Sequence, residues 1–353
     1  MSLTKSVGVI AVTLSIILIL TCSNKSGQQQ SFATFSSDGT AYVARVIPMP
    51  STISPEAQEW LVSLTHYGPE AKTLAERRAG TDAWRKGAAE EAKKLYPVNV
   101  EETSMAGVRT DIITPLTMSK EHGDRVLINL HGGGFVSDSG SLIEGIPIAN
   151  LAKIKVVSVY YRLAPENPFP AAVDDVVAVY KELLKSYKPH NIGIFGTSAG
   201  ASLTCEVAVR LKQLGLPLPA ALGIFSVYPD FSRAADSEAF FTLNGLPGEL
   251  QPRDRHRMPD DPYASSTDRK DPVLSPVFAD LRGMPPSLLV TSTRDLLLSN
   301  TTLLHRAMLH AGDDAQLVVF EALPHAFWYH FQLPETKEAL ELMAKFFDEK
   351  VGR

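Results

Sequence analysis

"NIGIFGTSAGAS", Asn191 to Ser202, joins an apolar run to a serine with small neighbours on both sides. It reads G-x-S-x-G at Gly196, Ser198 and Gly200, and an amphipathic pattern, "AGASLTCEVAVRLKQL", continues from Ala199. A strand that runs straight into a helix needs a sharp turn. Such a turn forces the serine at its apex into a strained conformation, with its hydroxyl exposed above the sheet. The small flanking residues let neighbouring backbone approach closely. The five-residue pattern alone also fits an ordinary glycine-rich turn, but the strand before it and the helix after it favour Ser198 as a nucleophile.

Working outward, the chain alternates. "RVLINL", "KVVSVYY", "NIGIFG", "ALGIFSVY", "SLLVTST" and "AQLVVFEA" read as strands. Between and after them lie helical patterns in "SLIEGIPIANLA", "PAAVDDVVAVYKELLK", "NTTLLHRAMLHAG" and "PETKEALELMAKFFDEK". Strands alternating with helices imply parallel pairing and right-handed crossovers, hence an α/β sheet. An open sheet of this kind binds ligands at the C-terminal ends of its strands. Before the alternation, Ser54 and Pro55 form a helix start, a second helical region runs from about Glu70 to Leu95, and "VNVEETSM" and "VRTDIIT" read as strands.

Behind "RVLINL" comes "HGGGF", His131 to Phe135. Three adjacent glycines cost conformational entropy and are useful where backbone N–H groups must face a ligand. In a strand-serine-helix architecture the loop after an earlier strand supplies N–H groups to an oxyanion hole, and the residue after the serine supplies another. Gly133, Gly134 and Ala199 are the candidate donors. His131 reads as a residue that fixes the loop.

The ordered set "HGGGF", "YRLAPENPFPAAVDD" and "GTSAG" resembles the hormone-sensitive-lipase-like family of α/β-hydrolases, the bacterial family IV esterases, over about Tyr96 to Phe347. That family often has aspartate where Thr197 stands, so the chain looks like its GTSAG subgroup. The resemblance implies an α/β-hydrolase fold: a mostly parallel central sheet flanked by helices, with a helical cap. It implies a serine carboxylesterase acting on small esters with short to medium acyl chains, needing neither metal nor organic cofactor, and often dimeric. Arg162 and Glu166 are candidates for supporting the oxyanion loop, or for a merely exposed pair worth at most ~1 kcal/mol. A lactone, an amide or an acetylated small molecule as substrate stays open. So does a non-catalytic receptor on the same fold, although such receptors lose the triad histidine.

The order in such hydrolases is serine, acid, histidine. After Ser198 come His256, His305, His310, His325 and His330. His305 and His310 fall in a helical pattern and His256 in a charged stretch, while His325 follows the last strand, with His330 as its rival. Ala326 replaces the glycine that the family usually has after this histidine. Asp295 also follows a strand, in "SLLVTSTRDLLLS", and Ser299 replaces the second aspartate of the family's D-x-L-x-D pattern. Asp271, Asp280, Asp313 and Asp314 lack that context. Trp60, Tyr67, Phe240, Phe241 and Leu243 are candidates for lining an acyl pocket, or simply for packing the cap.

The 353 residues carry a net charge of −5, with 44% hydrophobic and 21% charged residues. That is ordinary globular composition, and without clustered lysine or arginine nothing points to nucleic acid. Cys22 and Cys205 form no zinc or disulfide pattern. Residues 1–22 read as a signal peptide or lipoprotein signal: Lys5 precedes an apolar run from Val7 to Leu20, short of a spanning helix at roughly 21 Å. "ILTC" at Cys22 looks like a bacterial lipobox, with Thr21 where a smaller residue is usual. Lipidation at Cys22, an uncleaved anchor and plain secretion remain alternatives, all placing the chain in the cell envelope or outside the cell. The remaining boundaries read as a polar linker over 23–52, N-terminal cap helices over 53–95, and a hydrolase domain over 96–350 with a cap insertion at about 230–270.

Overall fold

The computed structural model describes residues 33–37, 39–43, 45–66, 73–119, 122–248, 250 and 261–353. Cys22, the apolar run before it, Tyr67 and His256 lie outside the described residues. The chain divides into two compact units, Met1–Met49 and Pro50–Arg353. In the first, β1 (Ala33–Phe35) and β2 (Ala41–Val43) pair antiparallel. The stretch read as a polar linker therefore contains a short hairpin.

The second unit opens with α1 (Pro55–Leu64) and α2 (Leu74–Leu95). Ser54 Oγ accepts from the Ala57 N–H at 3.1 Å and donates to Glu335 at 2.9 Å, so one hydroxyl both caps α1 and ties it to the closing helix. Thr73 and Glu76 form a reciprocal capping box on α2, worth about 1 kcal/mol.

The strands that follow are β3 (Val98–Met105), β4 (Val108–Pro115), β5 (Val126–Leu130), β6 (Lys155–Val159), β7 (Ile192–Thr197), β8 (Ala221–Phe225), β9 (Ser287–Ser292) and β10 (Ala315–Phe320). They form one sheet in the order β10-β9-β8-β7-β5-β6-β4-β3. Pairing is parallel from β10 through β6 and antiparallel at β6–β4 and β4–β3. The helices are α3 (Gly145–Ala152), α4 (Ala171–Leu183), α5 (Ala199–Gln213), α6 (Leu298–Ala311) and α7 (Pro334–Lys350).

Two cores result, because successive strand residues point to opposite faces. Val126, Ile128, Ile194, Ile224 and Leu289 pack with residues of α4, α5 and α6. Leu127, Phe195, Phe225, Leu288 and Val290 pack with α1, α3 and α7. Burial on both faces explains why these strands read as continuous apolar runs. Among the described residues of 230–270, helical structure is limited to a 3₁₀ turn, Asp236–Ala239. No helix among the described residues is long and apolar enough to cross a membrane.

The tightest packing lies where α5 leaves β7. A Cβ added at Gly200 would fall 1.8 Å from the Leu130 carbonyl oxygen, and one at Gly196 would fall 2.3 Å from it. The turn thus sits directly on the backbone at the end of β5. Gly200→Ala should lower stability by about 3 kcal/mol or more, since backbone must move to admit the methyl. Gly80→Ala, at an open site in α2, should raise it by about 0.5–1 kcal/mol. Chemical denaturation of both variants checks the contrast.

Candidate active site

Ser198, at the apex of the turn, has φ 60° and ψ −121°, a backbone state costing of order 1–3 kcal/mol for a residue with a side chain. Its N–H donates to the Phe225 carbonyl at 2.9 Å, and its own carbonyl accepts from the Ser202 N–H at 3.1 Å. The strain is therefore fixed by β8 on one side and the first turn of α5 on the other.

Asp295 follows β9 and is fully buried. One oxygen accepts from the Leu297 N–H at 2.8 Å and pairs with His325 Nδ1 at 2.9 Å. The other accepts from Thr291 Oγ1 at 3.0 Å and from the Ser226 hydroxyl. Burial alone would lift the Asp295 pKa. The charge of His325 and the bonds from His325, Ser226 and Leu297 outweigh it and hold the carboxyl below the ordinary aspartate range. A carboxylate at Nδ1 places the ring hydrogen there and leaves Nε2 as the basic nitrogen.

Ser198, Ser226, Asp295 and His325 thus follow β7, β8, β9 and β10, which are neighbours in the sheet. Ser226, with φ 54°, was not singled out by sequence; its only signal is a serine at a strand end. His330 goes elsewhere. It packs against Trp60 in a tilted contact at 4.0 Å between ring centroids, and burial pushes its pKa down to about 4.

The glycine loop lies against the serine. A Cβ at Gly132 would sit 3.3 Å from Ser198 Cβ, while Gly133 and Gly134 have φ of 112° and 63°. The N–H groups of Gly132 to Phe135 and of Ala199 have no acceptor among the described residues, so these donors, Gly133 and Gly134 included, are free for an incoming group. His131 stacks on Tyr161 at 4.1 Å between ring centroids, with its Nδ1 2.8 Å from the Gly132 oxygen, and the Tyr161 hydroxyl donates to the His131 carbonyl at 2.6 Å.

The expected support from Arg162 and Glu166 is corrected. Arg162 pairs with Asp175 of α4, and Glu166 pairs with Arg78 of α2 at 2.7 Å. It is Arg78 that reaches the glycine loop, donating to the Val136 carbonyl at 2.7 Å and also to the Ala164 carbonyl of the segment after β6 at 2.9 Å. Arg85, also on α2, lies 3.4 Å from Asp138, whose carboxylate accepts from the Gly140 and Ser141 N–H groups. Ser299, in place of a family aspartate, exchanges hydrogen bonds of 3.0 Å with Ser237, tying the inserted segment to α6. Of the candidate pocket residues, Phe240 and Leu243 are exposed, whereas Phe241 and Trp60 pack on the cores.

Residues 127–329 match the family described as alpha/beta hydrolase fold. An acetyl-hydrolase of Streptomyces hygroscopicus is 34% identical over 235 residues, 65% of this chain and 77% of that one. A crystal structure of an esterase is 32% identical with TM-score 0.75, covering 89% of this chain and all of the other. Another, of an esterase from the bacterial hormone-sensitive lipase family, is 28% identical with TM-score 0.72, covering 84% and 98%. The chain belongs to the hormone-sensitive-lipase-like family of α/β-hydrolases. It is a serine carboxylesterase, and the receptor reading falls away.

Because Arg78 ties the Val136 carbonyl to the segment after β6, Arg78→Ala should lower esterase kcat about tenfold by loosening the loop that follows the glycines. Glu166→Gln leaves those two bonds in place and should stay within about twofold, as an exposed ion pair contributes little. Steady-state kinetics on both variants decides which of the two residues supports the loop.

Proposed function

We propose that this esterase hydrolyses short- to medium-chain acyl esters through Ser198, His325 and Asp295, with Gly133, Gly134 and Ala199 donating to the oxyanion. The observation that carries the reading is the bond of 2.9 Å between buried Asp295 and His325, in the same sheet as a strained serine that follows β7, two strands from β9. His325 Nε2 takes the Ser198 proton as Oγ attacks the ester carbonyl carbon. The tetrahedral oxyanion is held by backbone N–H groups, each worth roughly 3–4 kcal/mol of barrier. The intermediate collapses, the leaving alkoxide takes the proton back from His325, and an acyl-serine remains. Water then attacks it by the same route, yielding acid and free Ser198. Asp295 keeps the tautomer and steadies the imidazolium.

A relative named acetyl-hydrolase favours the short end of the acyl range, an acetylated small molecule included. A chain-length series of p-nitrophenyl esters measures this preference. His325→Ala should lower kcat roughly 10³-fold or more, and His330→Ala far less. Ser198→Ala should abolish both hydrolysis and phosphonate labelling. Labelling at another serine, or a larger loss at His330, would overturn the assignment.

For location we propose a lipid tether at Cys22 in the cell envelope, supported by the apolar run, the lipobox-like "ILTC" and the polar spacer after it. A homodimer is part of the same reading by family resemblance. Full-length protein should fractionate with membranes, and Cys22→Ala should release it from lipidation. Intact-mass measurement of the mature wild-type protein, showing no lipid, would refute the tether.

A further inference from the structure

Behind Ser198 lies a carboxyl that the proposed ester chemistry does not use. Glu144 is fully buried just before α3. One of its oxygens accepts from the Thr197 hydroxyl, and the other accepts from Asn129 Nδ2 at 3.0 Å. Thr197 immediately precedes Ser198, and its Oγ1 accepts from Trp328 Nε1 at 3.0 Å. Asn129 lies two residues before His131, and its own carbonyl oxygen accepts from Ser158 Oγ of β6 at 3.0 Å. The root of the glycine loop and the residue before Ser198 therefore meet on one carboxyl, and the turn just beyond His325 joins them through Thr197. The Tyr329 hydroxyl is buried beside Thr197 and Glu144 without a well-formed hydrogen bond.

Packing alone does not account for this cluster. Replacing both partners of a buried hydrogen bond with apolar groups of the same shape is often nearly neutral for stability. What a carboxyl adds over leucine is two hydrogen-bonding oxygens fixed in space, one toward the residue before Ser198 and one toward the root of the glycine loop. We propose that Glu144 and Thr197 are positioning residues of the esterase, registering the Ser198 turn against the glycine loop and the His325 turn. Burial pushes the Glu144 pKa up to about 8, so near neutrality it is mostly uncharged and adds little field to the reaction. The inference rests on Ser198 being the nucleophile.

The test uses Thr197→Val, Glu144→Leu, their double variant and Glu144→Gln, assayed with a short-chain p-nitrophenyl ester. Competent sites are counted by fluorophosphonate labelling, and melting temperature is followed in parallel. Misregistration should lower kcat per site about 10- to 100-fold in Thr197→Val and Glu144→Leu, with KM within about threefold. The double variant should be no worse than the worse single, because both remove one linkage. Glu144→Gln, which can still accept from Asn129 and donate to Thr197, should keep kcat within about threefold. Thr197→Val carries the test if Glu144→Leu does not fold. Unchanged kcat per labelled site, whatever the melting temperature does, overturns the positioning role alone. Absence of label at Ser198 in the wild type overturns the assignment beneath it as well.

Discussion

A buried charge governs the site. Removing a carboxylate from water costs several kcal/mol even after relaxation, and Asp295 has no exposure with which to recover it. It is tolerated only where donors converge, and they come from His325, Thr291, Ser226 and the Leu297 N–H. Those groups follow β8, β9 and β10 or end them, so the charge is satisfied only when three strand ends finish in register. Bonds beyond the strands hold them there: Ser226 N–H to Val290 O at 2.8 Å, and Thr293 N–H to Phe320 O at 2.9 Å. A folded-state pKa below the ordinary value means that Asp295 contributes stability at neutral pH. That contribution is lost as pH falls through the depressed value.

Much of this was legible because the signals are local. Continuous apolar runs of five or six residues marked the parallel strands, since both faces are covered. Ser198, Asp295 and His325 each follow such a run, and strand ends are where open sheets hold ligands. His325 was separable from His330 in the sequence only by its place after the strand. The packing of His330 against Trp60, 270 positions earlier in the chain, belongs to tertiary structure, which periodicity does not encode. The same holds for Arg78. An arginine on a polar helix reads as solvated, and its two carbonyl acceptors lie 58 and 86 residues away. Glu166 and Arg162 looked like supports because they sit in the motif itself, yet their charges are taken up by Arg78 and Asp175.

The glycine loop shows what those distant contacts accomplish. In the proposed oxyanion role, the positive φ of Gly133 and Gly134 is useful only if the loop is stiff, because mobile donors must be ordered at each turnover. Stiffness is supplied from outside the loop. Tyr161 holds the His131 carbonyl, Arg78 holds Val136, and Asp138 gathers the next two N–H groups while pairing with Arg85. Two of these supports come from α2, so this N-terminal helix braces the glycine loop.

Two buried carboxyls flank the nucleophile and are held in opposite states. Asp295 meets its full set of donors and an imidazole that can carry positive charge, and its pKa falls. Glu144 is equally buried but is hydrogen-bonded only to neutral groups, Thr197 and Asn129, and its pKa rises to about 8. The difference is in partner charge, since desolvation penalises both. Each state suits its place. In the proposed mechanism, an ionised group beside His325 stabilises the imidazolium that forms on proton transfer, whereas an ionised group behind the Ser198 turn would oppose the oxyanion developing on the glycine loop. A neutral carboxyl can hold the turn without that repulsion, so the anchor and the orienting acid divide one residue chemistry between them by surroundings alone.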